Sequence, residues 1–249
     1  MKENLKVNIL WLFLLLLGYG LISLLVSVGV LNLFHIQIIE QIGINIILAV
    51  GLNLIVGFSG QFSLGHAGFM AIGAYAAAII GSKSPTYGAF FGAMLLGAII
   101  AGLVALVVGL PTLRLKGDYL AVATLGVAEI IRIFIINGGS LTNGAAGILG
   151  IPNFTTWQMV YFFAVITTIA TLNFLRSPIG RLTLSVREDE IAAESVGVNT
   201  TKIKIIAFVF GAVTASIAGT LQSGFIGSVV PKDYTFINSI NVLIIVVFG

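Results

Sequence analysis

The chain contains no cysteine, which removes disulfides, thiolate metal sites and cysteine nucleophiles together. Charge is scarce: 8% of residues are Asp, Glu, Lys or Arg, where a soluble domain carries about 25%. Histidine is limited to His35 and His66, too few for a multi-histidine metal centre. No G-x-x-x-x-G-K-[ST] loop occurs, so ATP is not bound here through a Walker A loop. H-E-x-x-H, G-x-S-x-G and paired-carboxylate signatures are missing as well. What the chain does have is apolar surface: 58% of its 249 residues are hydrophobic and the mean hydropathy is +1.13. A soluble fold cannot bury that much with so few charges to cover it. A cytosolic enzyme, a nucleic-acid binder and a disordered chain are excluded. The net charge of +3 and pI near 9.3 rest on few groups and report membrane topology. Glycine, at 30 residues, exceeds the usual share of about 7% and suits closely approaching membrane helices.

A hydrocarbon core of about 30 Å takes about 20 apolar residues as a helix, and backbone groups in lipid must be bonded internally. The expected fold is therefore all-α, a polytopic transmembrane helical bundle forming a single transmembrane domain over 1–249. Eight apolar segments are expected, at 7–33, 38–58, 64–81, 88–110, 118–136, 157–175, 205–225 and 236 onward. The first starts like a signal peptide, but its apolar stretch far exceeds an h-region of about 7–15 residues and no A-x-A site closes it. It reads as an uncleaved span. Basic residues orient the bundle. With Lys2 and Lys6 cytoplasmic, strict alternation places Arg114, Lys116, Arg176, Arg181, Arg187, Lys202 and Lys204 on the same side. The outer segments 34–37, 82–87, 137–156 and 226–235 carry only Lys83 and Lys232. The stretch 59–63 is open between a tight cytoplasmic turn and a break within the membrane. If the third run re-enters, the downstream parity fails.

Small residues recur every fourth position at Ala89, Ala93, Gly97, Ala101, Ala105 and Gly109, and at Ala207, Gly211, Ala215, Gly219, Ser223 and Gly227. Such ridges predict close helix packing within the bundle. The last run, NVLIIVVFG, stops without a polar flank, and the C-terminus is expected to be truncated.

The segment 176–204 is the most informative soluble stretch. Arg176-Ser177-Pro178-Ile179-Gly180-Arg181 leaves the bilayer. Ser185 and Glu188 have capping-box spacing, and Glu188, Asp189 and Glu190 are expected in a first helical turn, where acids complement the dipole. Gly197 ends the helix in the left-handed conformation. About eleven helical residues would span about 16 Å, too short to cross lipid. Either a solvated connector or a docking helix for a cytoplasmic partner fits.

Here a family resemblance enters. Glu190-Ile191-Ala192-Ala193-Glu194-Ser195-Val196-Gly197 resembles the EAA…G loop of ABC importer permeases. The stretch 51–69, GLNLIVGFSGQFSLGHAGF, is similar to the signature of branched-chain amino-acid permeases, the LivH/LivM family. GDYLAVATLG at 117–126, followed by Glu129-Ile130-Ile131-Arg132, resembles the LivM side. The resemblance implies a permease subunit of an ABC importer for leucine, isoleucine and valine. It lies in the inner membrane with its N-terminus cytoplasmic. The implied partners are two ABC ATPase subunits that hold ATP and Mg, a second permease subunit and an extracytoplasmic binding protein, with membrane lipid around the bundle and no nucleic acid. The implied docking loop comprises Glu188, Glu190, Ala192, Ala193, Glu194 and Gly197.

Asn53, Ser59, Gln61, Ser63 and His66 bring polar groups to a glycine-interrupted stretch. They are candidates for a translocation path, with a glycine-rich interfacial turn as the alternative. Glu129 and Arg132, three positions apart on one helix face, are expected to form a structural intramembrane pair facing the bundle interior. The glycine-rich 137–156 is either a lid or receiver of a binding protein, or a flexible connector. Rival readings are the same machine carrying urea, short amides or another small solute, a secondary transporter with Glu129 as proton carrier, and a polytopic membrane enzyme.

Overall fold

The computed structural model describes residues 2–248, with side chains described at Trp11 and from Leu14 onward. The described residues form ten α-helices: α1 (Lys2–Ser27), α2 (Leu33–Asn53), α3 (His66–Lys83), α4 (Tyr87–Thr112), α5 (Asp118–Ile136), α6 (Trp157–Arg176), α7 (Pro178–Glu188), α8 (Glu190–Ser195), α9 (Thr200–Ile226) and α10 (Phe236–Phe248). Asn32, Thr86, Thr156 and Asn199 cap α2, α4, α6 and α9 by accepting a backbone N–H with the side-chain oxygen, which satisfies donors that have no partner inside the helix.

Every apolar run expected from the sequence contains a helix, the first of them ending at Ser27 rather than at 33. The architecture is an all-α polytopic bundle, and five of its helices are long and apolar enough to cross a membrane: α2 with its extension to Phe58, α4, α5, α6 and α9. The other three expected runs hold the helices α1, α3 and α10. α1 is apolar over Leu14–Ser27. α3 has 18 residues, but His66, Tyr75, Ser82 and Lys83 dilute its apolar character. α10 has 13 residues, about 20 Å at 1.5 Å per residue, short of a core of about 30 Å.

The centre is built by α3, α4 and α9, with α2 and α6 on the flank. The two small-residue ridges lie inward: Ala93, Gly97, Ala101, Ala105 and Gly109 of α4 are buried, as are Ala207, Gly211, Ala215, Gly219 and Ser223 of α9. A methyl group on Gly97 would stand 3.1 Å from the Gly73 Cα, so these ridges pack helices of the same chain. Phe69 and Phe208 meet edge to face at 5.5 Å between α3 and α9.

The stretch 59–65 separates two helices at one end of the bundle. α2 finishes in a π-turn, Leu54–Phe58, with the Ser59 N–H on the Leu54 carbonyl at 3.1 Å and the Gln61 N–H on the Ile55 carbonyl at 3.0 Å. α3 then runs to the opposite end, where Lys83 lies beside Ser140, Asn143 and Leu149. The third run therefore does not turn back.

At that opposite end the glycine-rich 137–156 is tied down. Ile148 and Leu149 pair antiparallel with Val229 and Ser228, the Ile151 N–H donates to the Gly227 carbonyl at 2.9 Å, and the Thr155 hydroxyl donates to the Leu221 carbonyl at 2.7 Å. After Val229 the chain turns inward. A 3-10 turn, Pro231–Tyr234, buries Pro231 and Tyr234, and the Ala67 N–H donates to Ser239 Oγ at 2.9 Å. Ala67 is in the first turn of α3, whereas the end of α3 sits beside the ladder, so α10 begins deep inside the bundle. The expected outer loop 226–235 thus dips inward.

Candidate functional site

The soluble segment differs from expectation at its start. Ser185 lies inside α7 and its hydroxyl donates to the Leu182 carbonyl at 2.8 Å, so it caps nothing. α7 begins instead at Ser177, whose Oγ accepts the Gly180 N–H at 3.1 Å, with Pro178 as its first residue. It stays helical through Glu188 because Gly180, Thr183 and Val186 are buried against the bundle. The break falls at Asp189, which is extended and accepts the Ile191 and Ala192 N–H groups at 2.9 and 3.0 Å. α8 is therefore six residues long, about 9 Å, rather than about eleven. Glu188 ends the preceding helix, and of the three acids only Glu190 lies in the first turn of α8. Gly197 ends it at φ +87°, in the conformation glycine adopts without steric cost, and the Val198 N–H closes onto the Ala193 carbonyl at 3.1 Å.

α8 has an inner and an outer face. Ala193, 4% exposed, packs on Val186 and Ile203. Glu190 is also turned inward: Lys204 Nζ donates to it at 2.6 Å and Lys116 Nζ lies at 3.3 Å. Burial pushes the Glu190 carboxyl up, but the Lys204 and Lys116 ammonium groups together hold it below the ordinary 4.5. A carboxyl held low contributes stability above its unfolded value and loses it as pH falls through the lowered one. The tie is complete at neutral pH and opens only in acid below 4.5. Glu194 accepts the Thr200 hydroxyl at 2.7 Å. The outer face carries Ala192 together with Ile191 and Val196, which are 75% and 79% exposed. Two large aliphatic side chains thus project from an otherwise polar segment.

Ser59, Gln61, Ser63 and His66 are buried in packed protein, and Asn53 is exposed. Gln61 donates to Ser59 Oγ and, at 3.1 Å, to the Lys204 carbonyl. A methyl group on Gly60 would meet the Arg187 Cγ at 3.2 Å. Gln61 thus joins the α2–α3 break to the base of α9, and Gly60 brings it against α7.

Glu129 and Arg132 do pair: Arg132 Nε donates to both carboxylate oxygens at 3.0 Å. The pair does not face the bundle interior, because α5 turns Leu120, Thr124, Val127, Ala128, Ile131 and Ile135 inward and leaves the Glu129 side chain 41% and the Arg132 side chain 24% exposed. Glu129→Gln or Arg132→Gln alone leaves one charge without its partner on a helix in lipid, and the yield of folded protein is expected to fall several-fold. The double variant restores it in part, because no lone charge remains. Size-exclusion profiles in detergent check this; a double variant as poor as either single one overturns the pairing argument.

Sequence reasoning missed the polar groups that gather where α9, the 3-10 turn and α10 meet. Gln222, Lys232, Asp233, Thr235, Asn238 and Asn241 line a cavity there. The available signal was Asn238, Ser239 and Asn241 at the start of an apolar run. Among the described residues no group of three or more His, Asp or Glu side chains is arranged to hold a metal ion.

Residues 34–249 match the model of the family described as branched-chain amino acid transport system / permease component. The chain belongs to this family. Its similarity to curated members of the branched-chain permeases is substantial but partial. It is 36% identical over 194 residues to the high-affinity branched-chain amino acid transport system permease protein LivM of Salmonella typhimurium, covering 64% of this chain and 46% of that one. The LivM protein of Escherichia coli is 34% identical over 194 residues, with the same coverage. A probable branched-chain amino acid transport permease protein LivM of Methanocaldococcus jannaschii is 26% identical over 179 residues, covering 65% of this chain and 51% of that one. The chain thus spans about half the length of the curated relatives it matches. No solved structure gives a significant match.

Proposed function

We propose that this chain is the membrane-spanning permease subunit of an ABC importer that moves branched-chain amino acids across the cell inner membrane, powered by ATP on partner subunits. Residues 1–249 act as one transmembrane unit, with α1 and α3 crossing beside the five long apolar helices and 176–204 as its cytoplasmic coupling loop. Two ATPase subunits, a second permease subunit and an extracytoplasmic binding protein complete the complex. The supporting observation is α8, a short helix fixed to the bundle through Ala193 and Glu190 while Ile191 and Val196 stand exposed. A partner that grips this outer face moves the base of α9 through Lys204 and the α2–α3 break through Gln61. ATP binding on the partner shifts the bundle only by favouring one arrangement over the other.

The working test is uptake of labelled leucine into vesicles carrying the complex. Uptake that requires ATP and persists when the proton gradient is collapsed supports the reading. Uptake of urea or short amides in place of leucine replaces the substrate, and dependence on the proton gradient overturns the mechanism.

Orientation is tested separately. The bundle gathers Arg114, Lys116, Arg187, Lys202 and Lys204 at one end and has Lys83 at the other, so the basic end is proposed as cytoplasmic. Ser195→Cys and Ser140→Cys, both exposed positions, should label from the inside and the outside respectively with a membrane-impermeant maleimide. The cysteine-free background gives no competing signal. Labelling from a single side removes the arrangement.

A further inference from the structure

We propose that the cavity between the end of α9, the Pro231–Tyr234 turn and the start of α10 is a binding site for a zwitterionic amino acid with an aliphatic side chain. The cavity has a volume of about 540 Å³, within the range of small-ligand sites. Lys232 and Asp233 present a cation and an anion on consecutive residues of its wall, and among the described residues neither is engaged in an ion pair. Gln222 has a buried Oε1 without a hydrogen-bond partner. Tyr234, only 3% exposed, belongs to the same core as Tyr75 of α3 and lines the cavity. Asn238 and Asn241, one helical turn apart on α10, add amide groups, and Ile226 and Ile237 supply apolar walls.

The location gives these groups a reason to be polar. Val229 is held in the ladder with Ile148 at one end of the bundle, while Ser239 reaches Ala67 in the first turn of α3. The nine residues between them descend most of the length of α3, so Lys232 and Asp233 sit below the ladder beside a helix that starts at depth. Ionisable residues at such depth face a water-filled path or a ligand. The free N–H groups of a helix that begins inside a membrane protein attract an anionic group. An α-carboxylate fits against Lys232 and the first turn of α10, an α-ammonium against Asp233 and the Gln222 carbonyl oxygen, and the side chain against Ile226 and Ile237.

This assignment rests on the permease reading and adds to it the place where the substrate is held. The test uses the complex in its membrane and the variant Ile237→Cys, whose parent side chain is 57% exposed on the cavity wall. L-leucine should slow maleimide labelling at this position at least five-fold. Isovalerate, which lacks the ammonium, and isoamylamine, which lacks the carboxylate, should not do so at the same concentration. Adding Asp233→Asn or Lys232→Gln, both near-isosteric changes at exposed positions, should reduce the protection by leucine at least ten-fold. Unchanged labelling in membranes whose parent complex still takes up leucine with ATP overturns the site and leaves the permease reading standing. Protection by isoamylamine or isovalerate equal to that by leucine overturns zwitterion recognition. A parent complex that takes up no leucine overturns the permease reading, and the site falls with it.

Discussion

Ile191→Glu combined with Val196→Glu is expected to abolish co-purification of the ATPase while the permease stays folded and inserted. Both side chains are largely exposed, at 75% and 79%, so neither contributes to the bundle. Burying one large aliphatic side chain contributes roughly 1.5–3 kcal/mol. Losing both, and asking a partner to desolvate two carboxylates instead, should weaken docking by more than about a hundred-fold, since each 1.4 kcal/mol is about ten-fold. The inner face of α8 responds differently. Ala193→Trp would collide with Val186 and Ile203 and disturb the segment itself, so it does not isolate docking. Glu190→Gln removes the ties to Lys204 and Lys116, and should leave the ATPase bound but lower ATP-driven uptake, because the grip no longer reaches α9. Gly197→Val meets no neighbour within 4 Å, but φ is +87°, and a left-handed non-glycine residue costs about 1–2 kcal/mol. Its effect should be intermediate, and Gly197→Asn milder. Pull-down in detergent and uptake in vesicles measure these outcomes. If the double glutamate variant keeps both the ATPase and transport, α8 is only a connector.

How much of this was readable beforehand depended on which force decided each feature. The helices of the bundle were legible because lipid imposes one solution on an apolar run. The packing ridges were legible because close helix approach needs small residues at every fourth position. Gly197 was legible as a stop, since few other residues adopt its backbone. The start of α8 was not. Ser185 with Glu188 and Asp189 before Ile191 are both valid caps on local grounds. The choice was made by Thr183 and Val186, whose burial keeps α7 helical past Ser185. The direction of Glu190 was hidden for a similar reason, because Lys116 and Lys204 are distant from it in the sequence. The tie from the 59–66 stretch to the base of α9 was hidden, because Gln61 and Lys204 are 143 residues apart in the sequence. The inward turn after Val229 was the least legible, because 226–235 has the composition of an ordinary outer loop. Its depth comes from the ladder with Ile148 and the contact of Ser239 with Ala67.

The second large effect is expected at the contact of α3 with α9, where two glycines let backbones touch. A methyl group on Gly73 would strike the Ser216 carbonyl, and one on Gly219 would strike the Met70 carbonyl and lie 3.2 Å from the Ala74 nitrogen. The obstacle in both cases is main chain, which cannot rotate aside as a side chain does. The Thr220 hydroxyl also donates to the Gly73 carbonyl at 3.0 Å, so spreading the helices stretches a buried hydrogen bond as well. Association in lipid depends on van der Waals contact of this kind, and overpacking costs roughly 1–3 kcal/mol where the surroundings must shift. Gly73→Ala and Gly219→Ala should each fall at the upper end of that range. The double variant should fail to give a monodisperse protein. Gly92→Ala is the control: no atom lies within 4 Å of the added methyl group, and replacing a helical glycine by alanine gains up to about 1 kcal/mol. Thermal unfolding in detergent should therefore place Gly92→Ala at or above the parent and both central variants well below it, with leucine uptake falling in parallel. A Gly219→Ala protein as stable as Gly92→Ala would mean that α3 and α9 do not approach through Met70 and Ser216, and the inward placement of the α9 ridge would have to be abandoned.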